Sequence, residues 1–334
     1  MKWQVWLGLL LSAVFGLLTL SQVNLHQLVA ALRSAHYPLL LLAAVLQVST
    51  LLVRARRWQY LFEPIQPMRV LPLLSATAVG FLANMVLPAH AGEVVRAYVL
   101  SRRENLSAMT VLTTIVVERV MDIVAMLLIL LAVLVFANIR LELIPATVHL
   151  KTVGYVCLLA GVGLVGGLWF FRSQLARVLQ TLSGCLAMLP QPWQLRLRTT
   201  WASFVLGLQV FRSGRHVVAM CVLSILLWSM VAFSNVCVFY AFELRLPFIA
   251  AFLVLGMQML GVTIPAAPGF IGTYHAAVVA GLAVFEVATE LALSMAIVMH
   301  ATFFFPFLLI GLLFLWWESL SLRDLRAANI LRRG

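Results

Sequence analysis

Three charged residues stand inside one long apolar run, at Glu118, Arg119 and Asp122. On an α-helix they occupy a wedge about 100° wide, so they form one polar face. A charge at the centre of a spanning helix costs about 2.5–3.5 kcal/mol on insertion scales, so each must face protein or water. Two roles fit this pattern: a salt bridge between Arg119 and Asp122 that ties helices together, and a route for a polar group through an apolar medium.

A second pair of charges lies in the preceding segment, LPAHAGEVVRAYVL, residues 87–100. Pro88 and Gly92 interrupt a helix there, and broken backbone at membrane depth occurs only where it is buried in protein or lines a wet cavity. Glu93 and Arg96 are three residues apart, so we expect them to pair. The two segments together contain five charged residues, which is more than a single salt bridge between helices requires. The sequence therefore favours a route for a polar group.

Another segment, residues 247–290, is also broken, and its break at residues 265–275 carries prolines, glycines, hydroxyls and an imidazole but no fixed charge. Backbone N–H groups at a helix start near Gly272 and Thr273 would bind a phosphate oxygen, although a Pro/Gly kink used only for packing is the alternative. His300 in the last apolar run and His90 in the first break are each either a hydrogen-bonded core histidine or a proton-handling group. The candidates in this segment are Pro265, Pro268, Gly269, Gly272, Thr273, Tyr274 and His275.

The acids of the polar face also suggest a coupling to protons. Glu118 and Asp122 would share Arg119, so one carboxylate is left incompletely compensated. That carboxylate would take up a proton when an anion competes for the arginine. We therefore expect Glu118 or Asp122 to link the passage of an anion to protonation.

The elements that position these residues are membrane helices. Hydrophobic residues make up 63% of the 334-residue chain and charged residues only 10%, a composition that excludes a soluble domain. An all-α polytopic membrane protein is predicted, with about six full spans and two broken or re-entrant helical hairpins, at about 70–100 and 247–290. The six spans are residues 3–20, 38–53, 107–137, 151–171, 216–242 and 291–317.

Basic residues set the predicted orientation. The net charge is +12, and with the N-terminus inside, 17 of the 23 Lys and Arg residues fall on the cytoplasmic side. Both termini are then cytoplasmic, at the cytoplasmic (inner) membrane of the cell. A single domain, residues 1–320, is predicted, with halves 1–171 and 216–320. The halves are joined by a basic amphipathic linker, 172–215, which either recruits anionic lipid or only fixes topology, and a basic tail covers 321–334.

In this orientation the two broken segments enter the membrane from opposite faces. Their sequences also echo each other, since VGFLANMVLPAHAGEVV and LGMQMLGVTIPAAPGFIGTYH share a glycine, an apolar stretch, a proline and another glycine. Each segment is followed by a long apolar run. This pattern predicts an inverted repeat, in which broken helices from the two halves meet at the midplane and hold a substrate.

Four stretches in order along the chain resemble the flippase-like integral membrane family that includes the transmembrane region of lysylphosphatidylglycerol synthase. They are RARRW from residue 54, NMVLPAHAGEVVRAYVL from residue 84, VVERVMD from residue 116 and IPAAPGFIGTYHAAVV from residue 264. The resemblance extends over about residues 1–320. The positions that match the family pattern are Pro88, Gly92, Glu93, Arg96, Glu118, Arg119, Asp122, Pro265, Pro268, Gly269, Gly272 and Thr273, and Asn84 opens the second stretch.

The chain departs from the family pattern at two places. His90 stands where the family often has a basic residue such as arginine, and Tyr274 with His275 replaces the acidic residue that follows Gly-Thr. These changes bear on the charge of the cargo and on any acid-driven coupling. Since the chain ends at Gly334, a soluble aminoacyl-transfer domain is not expected, and neither is aminoacylation of lipid.

The resemblance implies a translocator that flips a lipid with a polar, phosphate-bearing head group between leaflets. Its partner would be an anionic phospholipid, a polyprenyl-phosphate glycan or a hopanoid-type lipid, and a homo-oligomer or a complex with a lipid-modifying enzyme is possible; nucleic acid is not expected. No catalytic residue, metal or cofactor is predicted, and no nucleotide-binding loop is present. The alternatives are a partner-organising membrane protein and a membrane-embedded enzyme, whose nearest candidate pair, His90 and Glu93, has no third ligand.

Overall fold

The computed structural model describes residues 33–87, 91–136, 163, 214–263 and 268–318. Eight α-helices lie wholly within these residues, and no β-strand does. The prediction of an all-α membrane protein is confirmed. The helices are α1 Tyr37–Phe62, α2 Val70–Val86, α3 Gly92–Glu104, α4 Ala108–Phe136, α5 Gly214–Ala241, α6 Phe248–Thr263, α7 Thr273–Ala283 and α8 Thr289–Trp317.

Three described helices are long and apolar enough to cross a bilayer, namely α1, α5 and α8. They correspond to the predicted spans 38–53, 216–242 and 291–317, and the 29-residue α4 corresponds to the predicted span 107–137, with ends that differ by up to two residues for α4 and α5. However, α1 does not stop at residue 53 but continues to Phe62. The predicted spans 3–20 and 151–171, the linker 172–215 and the tail 321–334 lie outside the described residues.

The long helices expose large apolar side chains on one face. On α8, Phe305, Leu309, Leu313 and Trp316 are all more than half exposed and recur about one helical turn apart. In water such an exposed apolar stripe would promote aggregation, whereas in a bilayer it is the surface that contacts hydrocarbon. The helices therefore read as lipid-facing on one side and protein-facing on the other.

The first predicted break is present between α2 and α3. Helix α2 ends at Val86, as expected from Pro88, because a proline disfavours the helical conformation of the residue before it. Helix α3 begins at Gly92, whose backbone N–H donates to the side-chain oxygen Oδ1 of Asn84 at 2.7 Å. Asn84 thus joins the two helices across the break.

The second predicted break separates α6 from α7. It contains a 3₁₀ turn at Pro268–Phe270, and Gly269 and Gly272 have φ angles of +76° and +93°. Residues other than glycine rarely adopt φ angles in this left-handed region, so the backbone conformation favours glycine at both positions. Both breaks are where the sequence predicts them, while their relation by an inverted repeat stays a prediction.

The chain divides into two compact units. The first unit contains all of α6, α7 and α8, and the second contains all of α4. The remaining helices contribute to both. Among the described residues, unit 1 holds 33–52, 77–87, 91–95, 226–263 and 268–318, and unit 2 holds 53–76, 96–136, 163 and 214–225.

Glycines set the helix packing inside unit 1. A Cβ atom on Gly311 of α8 would lie 2.6 Å from the Cβ of Leu82 and 2.9 Å from the carbonyl oxygen of Ala78, both on α2. Likewise, a Cβ on Gly261 of α6 would lie 2.8 Å from the Cβ of Ala277 on α7. Small residues let membrane helices approach closely, which is where their packing energy comes from.

Candidate functional site

Glu118 is the centre of a group of charges in unit 2, which we call the charged cluster: Arg54, Arg57, Arg96, Glu118, Arg119 and Asp122. All of them are buried except Arg119, whose side chain is 41% exposed. Glu118 lies on α4 and is fully buried. Its Oε1 is 3.1 Å from Nη2 of Arg57 and 3.5 Å from Nη2 of Arg119, and its Oε2 is 2.8 Å from Nη1 of Arg96. One carboxylate therefore contacts three guanidinium groups.

Asp122 lies one turn further along α4 and is also buried. The predicted pair with Arg119 exists, with Nη1 of Arg119 3.5 Å from Oδ2 of Asp122. A shorter contact comes from Arg57, whose Nη1 is 2.7 Å from Oδ1 of Asp122 and also donates to Oγ of Ser224 on α5 at 3.1 Å. The charged residues of α4 therefore form one group, as predicted. The shortest contact to Asp122 comes from Arg57 of α1, which also contacts Glu118.

Arg54 and Arg57 are not among the predicted site residues, because the predicted span ends at residue 53. Both lie on α1 and are buried, and Arg57 is fully buried. Electrostatic neighbours of Arg54 are Asp122, Arg119, Arg57 and Glu118. The i, i+3 spacing of Arg54 and Arg57 puts them on one helix face, and that spacing was the available signal. It is visible in the motif RARRW once α1 is extended past residue 53.

The expected pair between Glu93 and Arg96 is wrong. Within the described residues Arg96 pairs with Glu118, and Glu93 forms no ion pair. Oε2 of Glu93 is instead buried without a hydrogen-bond partner in the described part of unit 1. The spacing of Glu93 and Arg96 permits a pair, but Arg96 binds the carboxylate of Glu118 on α4 instead.

The structure does not support the assumption behind the predicted coupling to protons. It assumed that Glu118 and Asp122 share one arginine, whereas Arg57 and Arg119 contact both acids and Arg96 contacts Glu118. Neither carboxylate is left without a cationic partner.

Unit 1 contains a separate polar and aromatic group on α5, α6, α7 and α8. Gln258 of α6 donates to Oδ1 of Asn235 at 3.0 Å and to the hydroxyl of Tyr274 at 2.9 Å. Asn235 in turn donates to Oε1 of Gln258 at 3.2 Å. Asn235 and Gln258 were not singled out from the sequence, although an amide inside an apolar run is a recognisable signal for an interhelical hydrogen bond.

Two histidines lie beside this network. The rings of His275 and His300 are edge-to-face with centroids 4.9 Å apart, and Tyr274 lies 5.0 Å from His300. The backbone N–H of Gly272 donates to Nδ1 of His275 at 3.3 Å, so this amide, predicted to bind phosphate, is already occupied. The Nε2 of His300 is buried without a hydrogen-bond partner in the described residues, so the choice between its two sequence interpretations stays open.

Replacing Tyr274 with phenylalanine is expected to lower the free energy of unfolding by about 0.6 kcal/mol, the average for an interhelical hydrogen bond in a membrane protein. The reason is that Gln258 loses one acceptor but keeps Asn235. Unfolding in mixed micelles measures the effect. Tyr240→Phe is the matched control, because Tyr240 is 52% exposed and should tolerate the change. Equal stability of both variants would contradict the buried network.

The remaining predicted site residues are spread over both breaks. Thr273 begins α7, where its hydroxyl donates to the carbonyl of Phe270 at 3.4 Å, and Pro268 begins the 3₁₀ turn. Pro88, His90 and Pro265 lie outside the described residues. In the described part of the chain, no three His, Cys, Asp or Glu side chains are grouped as metal ligands.

Comparison with known families bears on the identity of this chain. A family model described as the lysylphosphatidylglycerol synthase transmembrane region matches residues 5–311. The chain belongs to this family. No curated protein and no solved structure matched the chain.

Membership in the lysylphosphatidylglycerol synthase transmembrane-region family confirms the resemblance drawn from the four motifs. It indicates a membrane protein with a role related to lipids. The matched residues include the charged cluster of unit 2 and the polar group of unit 1. Both clusters thus lie in the region that defines the family.

Proposed function

We propose that this protein flips an amphiphilic lipid with a phosphate-bearing head group between the leaflets of the cytoplasmic membrane. The observation that carries the proposal is the charged cluster. Arg57, Arg96 and Glu118 are each at least nine-tenths buried, in helices of a lipid-related membrane family. Buried ionisable groups in membrane proteins mark the routes of polar substrates.

The chemistry of the cluster suits a phosphate. Among the described residues it contains four arginines and two carboxylates, a formal charge of +2. Guanidinium groups bind phosphate oxygens through two parallel hydrogen bonds. Acyl or prenyl chains of such a cargo would stay in hydrocarbon, against the apolar faces that the long helices expose.

Orientation and partners are part of the same proposal. We place both termini in the cytoplasm, as the basic residues predict. The proposed cargo is an anionic phospholipid, a polyprenyl-phosphate glycan or a hopanoid-type lipid. The proposed protein partners are a second copy of this chain or an enzyme that modifies the same lipid.

The test begins with the lipids that copurify with the protein, identified by mass spectrometry. Fluorescent analogues of these lipids are then placed in vesicles that contain the purified protein, and dithionite quenching measures how fast label leaves the inner leaflet. Wild-type protein is expected to accelerate this exchange over protein-free vesicles. Arg119→Gln should slow it about tenfold, since it removes one charged donor from the cluster.

The matched control is Arg56→Gln. Arg56 is an exposed residue of α1 that contacts Gln59. This variant should exchange lipid at the wild-type rate. If the wild-type protein accelerated the exchange of none of the copurifying lipids, the proposed function would be refuted. If Arg119→Gln exchanged lipid at the wild-type rate, the charged cluster would not lie on the path of the lipid head group.

A further inference from the structure

The side chain of Arg96 is held on one face and at one end. Its guanidinium carbon lies 3.6 Å from the ring centroid of Trp58, a stacking contact that arginine forms readily. Trp58 is itself fixed, because its indole Nε1 donates to Oγ1 of Thr114 at 3.0 Å. Nη1 of Arg96 contacts Oε2 of Glu118 at 2.8 Å. The orientation of the guanidinium plane is therefore set by three residues on two other helices.

The opposite edge of the same group is unused. Nε and Nη2 of Arg96 are both buried and have no hydrogen-bond partner among the described residues, although the residue is only 5% exposed. The Nε–H bond and one N–H bond of Nη2 lie in the plane of the guanidinium group and point in parallel from the same edge. Two such donors match the spacing of two oxygens on one phosphate.

A buried donor without an acceptor is unfavourable, and here there are two on one cation. Glu118 does not satisfy them, because it contacts the Nη1 end and is also contacted by Arg57 and Arg119. The surplus positive charge of the charged cluster favours an anion over a neutral or zwitterionic group. A phosphate supplies both the paired oxygens and the charge.

We propose that the Nε–Nη2 edge of Arg96 is the subsite for the phosphate of a lipid head group, presented by Trp58 and Glu118. This assignment rests on the proposed function. The assignment goes beyond the proposed function in two ways. It names one edge of Arg96 as the group that recognises the phosphate, and it makes Trp58 and Glu118 the residues that position Arg96.

Binding is measured on the purified full-length protein in detergent, by native mass spectrometry and thermal unfolding, with dihexanoyl lipids that differ only in the head group. Phosphatidic acid and phosphatidylglycerol are expected to bind at least about tenfold more tightly than phosphatidylcholine or diacylglycerol, because charge-assisted hydrogen bonds contribute most of the discrimination. Arg96→Lys keeps the charge and loses the fork, so the preference should disappear. Arg56→Gln, on the exposed side of α1, should keep it.

Several results would overturn the assignment. Equal binding of diacylglycerol and phosphatidic acid by wild-type protein would do so without any variant. So would an undiminished preference in folded Arg96→Lys. Protection by inorganic phosphate equal to that by phosphatidic acid would assign the edge to the free ion and remove the lipid. Should Arg96→Lys fail to fold, Trp58→Phe is the second variant: it reduces the stacking surface under Arg96 and removes the hydrogen bond to Thr114 that fixes this ring. Unchanged head-group preference in that variant would also refute the subsite.

The test separates this subsite from the flipping activity. Head-group binding that is lost in Arg96→Lys, in a protein that does not accelerate lipid exchange, would support the subsite and refute the function. Exchange that continues without any head-group preference would support the function and refute the subsite.

Discussion

Replacing Glu118 with glutamine is expected to lower the free energy of unfolding by about 3–5 kcal/mol, because removing one partner of a buried ion pair leaves uncompensated charge. Glu118 is the common partner of Arg57, Arg96 and Arg119, so the loss affects three guanidinium groups at once. Glutamine has nearly the same shape, which makes the charge the only large change. Unfolding in mixed micelles, followed by circular dichroism, measures it.

Glu104→Gln is the matched control for this change. Glu104 lies at the end of α3, 3.9 Å from Arg103, and both side chains are partly exposed. Ion pairs of that kind contribute about 0–1 kcal/mol, so the control should unfold close to wild type. If Glu118→Gln unfolded like Glu104→Gln, the charged cluster would not be a buried network.

Replacing Gly92 with alanine is expected to destabilise the protein by about 1–3 kcal/mol, the usual cost of forcing an extra carbon into a packed site. A Cβ there would lie 2.2 Å from the carbonyl oxygen of Gly80 and 2.5 Å from the side chain of Asn84. The first of these is backbone, which cannot rotate away. The change also disturbs the hydrogen bond from the Gly92 amide to Asn84 that joins α2 to α3.

Gly256 of α6 offers the opposite case. A Cβ at Gly256 meets nothing within 4 Å, so alanine there should raise the helix stability by about 0.5–1 kcal/mol. The same unfolding measurement compares the two variants. A Gly92→Ala protein as stable as Gly256→Ala would mean that α2 and α3 are free to separate at the break.

Local patterns account for the parts of this site that were predicted correctly. Helix periodicity places Glu118 and Asp122 on one face of α4 whatever surrounds them, and both are buried together. Proline and glycine chemistry likewise locates the breaks near Pro88 and Gly272, because the covalent structure of these residues disfavours continued helix or permits positive φ.

Contacts between helices account for the errors. The spacing of Glu93 and Arg96 allows a local pair, yet Arg96 reaches Glu118 on α4. A local rule states which side chains can meet along one helix, but it cannot rank that partner against a carboxylate brought by another helix. For the same reason the role of Arg57 was missed, since its partners lie more than sixty residues away in the chain.

The amino-acid sequence by itself determined that the chain enters a membrane, that its elements are helices and where two of them break. Run length, hydrophobicity and backbone chemistry are properties of each segment alone, so no tertiary information is needed for them. Only the tertiary structure decided which charges meet. A buried arginine must find a partner, but the identity of that partner depends on which helix faces pack together, and this placed Arg57 and Arg96 on Glu118.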